Sequence, residues 1–311
     1  MISALEHCSH VIIDAVQTTL QYLDDKIQEV AQKIIQTYFF MGFKNLPQPV
    51  VQERNQALQD QFQATCLNCA VDAKYIQAPQ TTRTGNILVI CLNTTYQDHH
   101  PRHWLPFLEN GSDIVLWNAK GTTPKEYEAN LITVLHALRR EKPQAKIALK
   151  TYCANTDPAI SAAASMNFPI PLIIDRGHGD ALSLARSVTI FAELPFVQRI
   201  LKKDFVCGGI NKIQNLTGPI LFLTPKYGDQ MMDSKRGNLT KALARPGSKI
   251  KLIPGDHWSK WGKTAYRQAL RFLESEQLAS GHHFDKNAYK DPLPPSFFKR
   301  HCLPLLIKTP C

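Results

Sequence analysis

The sequence predicts an α/β fold in which a mostly parallel sheet carries helices on both faces. Six short runs, residues 86–92, 113–117, 146–152, 171–174, 219–224 and 249–253, read as strands. Most of them are continuously apolar, as strands are when both faces of a sheet are buried. Helical patterns separate them, at 125–140, 159–166, 182–192 and 237–244, with 262–274 after the last strand. Alternation of strand and helix places parallel neighbours in one sheet, joined by crossovers.

Ahead of this region, residues 11–40 read as one amphipathic helix. Val16, Leu20, Leu23, Ile27, Val30 and Ile34 step by alternating fours and threes, and Tyr38 continues the stripe. Asp24, Asp25, Glu29 and Lys33 fill the opposite face, so the helix lies on something. That something is the main domain, a second helix in a coiled coil, or a membrane surface. Gly42, Pro47 and Pro49 end it. Residues 280–311 are of another kind, with Pro292, Pro294, Pro295, Pro304 and Pro310, the aromatic pair Phe297 and Phe298, and the basic pair Lys299 and Arg300. They read as an extended tail that wraps the domain or touches a membrane or partner. The expected organisation is therefore a helical segment over 1–45, an α/β domain over 46–279 and a basic, apolar tail over 280–311.

Composition narrows the class. The chain has 311 residues, 44% of them hydrophobic and 20% charged, which excludes a disordered or collagen-like protein. No stretch approaches the ~18–20 uncharged apolar residues of a spanning helix. The N-terminus has no cationic start or cleavage site, so no secretory signal peptide is expected. The 8 cysteines are scattered, which suits reduced thiols in a cytosol. Cys66 and Cys69 form a lone C-x-x-C, either two structural thiols or a metal or redox pair. The net charge is +10, unevenly placed: residues 199–311 hold 20 Lys and Arg against 8 Asp and Glu, residues 1–198 hold 16 against 18. A basic C-terminal part suits an anionic membrane surface or an acidic protein, or is a solvated face with no partner. No basic run is interleaved with aromatics, so nucleic acid is not expected. Phosphate-loop and dinucleotide fingerprints are missing too, and no cofactor is expected.

Ligands of open α/β sheets bind beyond the carboxyl ends of the strands, so the residues after each run carry the functional reading. Residues 151–155 read Thr151, Tyr152, Cys153, Ala154, Asn155. A cysteine between small residues at a strand-to-helix turn is either an exposed nucleophile on a tight elbow or a buried core thiol. After residues 219–224 comes an acid, Asp229, and after 249–253 a histidine, His257, followed by Trp258. The chain order nucleophile, acid, base is that of one hydrolase architecture. Asp175 and Asp256 are rival acids. His99 and His103 are four apart, as on a metal-binding helix face, but Pro101 lies between them and no third ligand accompanies them. With His100 they line the mouth of a cleft or are surface histidines, and no metal is expected.

On these residues the sequence resembles the α/β-hydrolase superfamily over about 62–276. The resemblance rests on the strand and loop at 87–93, the turn at 116–121 (LWNAKG), the elbow at Cys153, the run at 172–177 (LIIDRG) and the Asp229/His257 pair. Within the superfamily it resembles the hydrolase-like proteins of chlamydiae and the SidB-type secreted effectors of other intracellular bacteria. The family prefers glycine on both sides of the nucleophile, where this chain has Thr151 and Asn155. Pro158 suits a first helical position with Asp157 as cap, so the helix is expected to start late and to aim its positive end poorly at Cys153.

The resemblance implies a hydrolase of an ester or thioester with a Cys153–His257–Asp229 triad. It places the oxyanion on the backbone N–H of Ala154 and of Asn93 or Thr94, and an acyl-containing small molecule in the cleft. The alternative is an inactive protein of the same fold that serves as a binding or membrane-docking module. The location expected is the cytoplasm of the producing cell, or a host cell if the effector resemblance holds.

Overall fold

A computed structural model describes residues 48–91, 103–119, 123–177, 193–225, 248–254 and 262–279, with residue 182 and isolated positions between 17 and 29. In chain order its elements are α1 (Gln48–Phe62), β1 (Thr65–Cys66), β2 (Asp72–Ile76), β3 (Ile87–Cys91), α2 (Leu105–Glu109), β4 (Asp113–Asn118), α3 (Pro124–Glu141), β5 (Ile147–Tyr152), α4 (Thr156–Ala164), β6 (Leu172–Asp175), α5 (Pro195–Ile200), α6 (Gly209–Lys212), β7 (Ile220–Pro225), β8 (Ser248–Ile253) and α7 (Lys263–Ser275).

The strands form one 8-stranded sheet in the order β1-β2-β4-β3-β5-β6-β7-β8. β1 and β2 are antiparallel to each other, and β2 is antiparallel to β4. All other neighbours are parallel. The predicted mostly parallel sheet therefore stands, with all six expected strands in it. The reading missed β1, β2 and α1. Both strands are short, and Asp72 and Lys74 break the apolar run of β2. Pro49 lies in the first turn of α1, where its missing N–H costs nothing.

Period-2 alternation along the central strands builds two cores, one on each face. Ile87, Val89 and Cys91 of β3 join Leu131, Val134, Leu135 and Leu138 of α3 and Ala159, Ile160 and Ala163 of α4. Leu88 and Ile90 join Leu58 of α1, Phe107 of α2 and Ala269, Leu270 and Leu273 of α7. A fully buried Leu or Ile contributes about 1.5–3 kcal/mol. The edge strand β8 departs from the two-faced burial expected of these runs: Ile250 is 46% and Leu252 61% exposed.

Local chemistry sets the boundaries. α3 opens with a capping box in which Glu126 N–H donates to Thr123 Oγ1 at 3.2 Å and Thr123 N–H to Glu126 Oε2 at 2.9 Å. Asp113, fully buried at the start of β4, accepts from Ala78 N–H at 2.8 Å, from Arg83 Nη2 at 2.8 Å and from the Tyr75 hydroxyl. Burial, then the bond to Asp113, pushes the Tyr75 phenol up, and the same carboxylate pushes the Arg83 guanidinium up.

The isolated positions between 17 and 29 are helical, as expected. Arg199 lies 3.7 Å from Asp24, an exposed pair of small energetic weight. The rest of the 11–40 helix, the tail 280–311, the predicted helix 237–244 and all of 182–192 except residue 182 lie outside the described residues.

Candidate active site

The carboxyl ends of the parallel strands share one edge of the sheet, and Cys153 sits on it. Tyr152, the last residue of β5, is extended at φ −138° and ψ 140°, and Cys153 turns left-handed at φ 52°. A side chain other than glycine at such an angle is uncommon and strained by about 1–3 kcal/mol, and residues so held cluster at functional sites. A single 3₁₀ turn over Cys153–Asn155 follows, closed by Thr156 N–H on Cys153 O, and runs directly into α4.

This corrects the expectation of a late helix. The helical path begins at Cys153, and Pro158 is the third residue of α4 rather than its first. Its missing N–H falls among the first-turn donors that have no helical acceptor. Asp157 does not cap: its carboxylate accepts from Cys207 N–H at 2.7 Å and Gly209 N–H at 2.6 Å, which fastens α6 to α4. Nor does Asn155 need glycine's freedom, since its φ is −75°.

The neighbouring strand supports the turn. Tyr152 is in register with Asp175 of β6, and Arg176, the next residue, is also left-handed at φ 47°. Both Asp175 and Arg176 are buried, with Arg176 Nε 3.3 Å from Asp175 Oδ1. The guanidinium carbon lies 5.9 Å from the centre of the Tyr152 ring, and Arg176 N–H donates to Leu223 O at 3.0 Å. Gly177 then lets the chain close on α4. A Cβ there would lie 2.4 Å from Thr156 Oγ1 and 2.4 Å from Ile174 Cγ2.

Polar atoms gather around the elbow. The Asn155 carboxamide, Thr151 Oγ1 and Thr156 Oγ1 are buried and have no hydrogen-bond partner among the described residues. Such atoms are costly in a core and mark a site for attention. Lys150 is 1% exposed on β5, and Cys91, at the end of β3, is opposite Thr151. Burial pushes the Cys91 thiol up, against the opposing pull of the Lys150 charge.

Of the residues singled out in the sequence, Cys153 and Ala154 are placed at this elbow, Cys153 buried at 8% exposure and Ala154 partly buried. His103 is partly buried just ahead of α2. Asn93, Thr94, His99, His100, Asp229, Asp256, His257 and Trp258 lie outside the described residues. Their strands are placed, however: β3 ends at Cys91, β7 at Pro225 and β8 at Ile253, all running parallel to β5. Among the described residues, no group of three or more His, Cys, Asp and Glu is placed to hold a metal ion. Lys150 and Arg176 were not singled out as site residues. A lysine inside a strand and an arginine after one carry no spacing signal. Lys150 lies on β5 itself, and only the register of β6 with β5 brings Arg176 level with Cys153.

No protein-family model matches the sequence, and no curated protein does. Among solved structures the chain is similar to the esterase Pf2001 of Pyrococcus furiosus, at 14% identity and a TM-score of 0.52 over 68% of this chain and 89% of that one. It is also similar to the acylaminoacyl peptidase of Pyrococcus horikoshii, at 15% identity and a TM-score of 0.50 over 71% of this chain and 42% of that one. With the strand order above, these likenesses establish the α/β-hydrolase fold. Among the described residues, no helix is long and apolar enough to cross a membrane.

Proposed function

We propose that the protein hydrolyses an ester or thioester, with Cys153 as nucleophile, His257 as base and Asp229 as the acid that orients it. The observation that carries this reading is the left-handed Cys153 at the junction of β5 and a helical turn. His257 takes the thiol proton, and the sulfur attacks the acyl carbon. The oxyanion is received by the Ala154 N–H and by one from Asn93 or Thr94. Histidine returns the proton to the leaving group, and water then cleaves the acyl-sulfur bond. The two similar structures are an esterase and an acylaminoacyl peptidase, which agrees with this reaction class.

The test is hydrolysis of p-nitrophenyl esters and acyl thioesters by wild type, Cys153→Ala and His257→Ala, each checked for folding. Activity lost in both variants supports the triad. Activity that survives Cys153→Ala removes it.

The burial of Cys153 favours a second reading, an inactive protein of this fold that docks on other molecules. The basic residues 199–311 then supply the contact, to an anionic membrane or an acidic host protein, and an effector role belongs with this reading. Binding to anionic vesicles that falls with added salt supports it.

A further inference from the structure

We propose that Cys66 and Cys69 form a reversible dithiol–disulfide pair that exchanges electrons with a small disulfide, independently of the site at Cys153. The pair sits on the edge of the sheet. Among the described residues, β1 pairs with β2 alone, and Cys66 is exposed while Cys69 is partly buried. Both line an open cavity of about 300 Å³, together with Leu67, Ala70, Val71 and Asp72. The other described cysteines, Cys91, Cys153 and Cys207, are buried, and burial pushes the thiols of Cys91 and Cys207 up.

Three features of the hairpin suit exchange. Lys74 is the cross-strand partner of Cys66, and its ammonium donates to Cys66 Sγ at 3.0 Å, so a positive charge stands beside the sulfur that must be anionic during exchange. The segment between the cysteines folds back on itself, with Cys69 N–H on Leu67 O at 2.9 Å and Cys69 Sγ donating to Val71 O at 3.2 Å. That fold-back is also clamped from outside. Asn68 N–H donates to Glu141 Oε1 at 3.0 Å, and Arg140 donates to Asn68 O at 2.6 Å, so the end of α3 holds the turn in place.

The chemistry balances in two displacements. The Cys66 thiolate attacks one sulfur of the disulfide oxidant, forming a mixed disulfide and expelling one thiolate. The Cys69 thiolate then attacks Cys66 Sγ, closing the Cys66–Cys69 bond and expelling the second. Two electrons pass from the pair to the oxidant, and the two protons released by the cysteines convert the two expelled thiolates to thiols. Excess reduced thiol reverses both steps.

The full chain, equilibrated over a series of ratios of oxidised to reduced glutathione, quenched with acid and alkylated, tests this by peptide mass mapping. The peptide that holds both cysteines is expected to pass from doubly alkylated to unalkylated and two hydrogens lighter than its dithiol form, and to return when reduced glutathione is restored. Cys69→Ser is expected to trap glutathione on Cys66. Lys74→Met is expected to slow oxidation about two- to five-fold, the weight of a partly exposed charge pair. The proposal is overturned if both thiols stay alkylatable at every ratio, or if their disulfides form with other cysteines. It is equally overturned if Cys69→Ser accumulates no adduct on Cys66, or if Lys74→Met reacts at the wild-type rate.

Discussion

Cys153 and Arg176 occupy equivalent places on neighbouring parallel strands. Each follows one member of the in-register pair Tyr152 and Asp175, and each is left-handed, at φ 52° and 47°. The ends of β5 and β6 thus turn away from the sheet together, and they do so with side chains that glycine would normally replace. Gly177 completes the arrangement by allowing the β6 turn to press against Thr156 at the start of α4.

The strain at Cys153 has a measurable sign. Cys153→Gly relieves the left-handed backbone, whereas Cys153→Ala keeps it. The glycine variant is therefore expected to be about 1 kcal/mol more stable than the alanine variant in urea unfolding, against the usual preference for alanine. Equal stabilities, or a more stable alanine variant, would mean that the elbow is not left-handed in solution.

Gly177→Ala inserts a methyl where Thr156 Oγ1 and Ile174 Cγ2 already stand 2.4 Å from the Cβ position. Neither neighbour is the end of a long flexible chain, so the backbone must give way. The expected loss is about 1–3 kcal/mol in denaturant unfolding. A change within ~0.5 kcal/mol, the range of neutral surface substitutions, would contradict the close approach of β6 and α4.

Asp113 concentrates the polar burial at the opposite end of the sheet. Asp113→Ala leaves the Arg83 guanidinium, the Tyr75 hydroxyl and the Ala78 N–H without their acceptor. Removal of one partner of a buried charge pair typically costs ~3–5 kcal/mol. Thermal unfolding of Asp113→Ala and Asp113→Asn should rank alanine well below asparagine, because the amide oxygen still accepts. Identical melting of the two would locate the stability elsewhere.

Glu109 sets a pH dependence. Burial raises its pKa above the ordinary value of 4.5, so the folded state holds the proton more tightly than the unfolded one. Its stabilising contribution is complete below that value and is lost as pH rises through the folded pKa. Glu109→Gln is neutral throughout, so it should raise the urea midpoint relative to wild type at pH 7 and leave it unchanged near pH 4. A gain of equal size at both pH values would assign the effect to shape rather than charge.

The sequence by itself determined the sheet and its direction. Runs such as 86–92 and 146–152 are apolar at consecutive positions, which only a strand covered on both faces accommodates, and the helices between them leave parallel pairing as the arrangement. It also placed a cysteine at the end of the central strand β5. Tertiary structure decided the rest. The β1–β2 hairpin is too short and too polar to announce itself, and it exists because β4 offers an edge to pair with. Pro158 and Asp157 suggested a delayed helix when read along the chain. In space the carboxylate is occupied by Cys207 and Gly209, and the helical path starts at Cys153. Arg176 comes to the elbow only through the register of β6 with β5. Local patterns report the burial of a segment, but which residues share an edge is set by pairing across the sheet, a non-local energy that no window of the sequence contains.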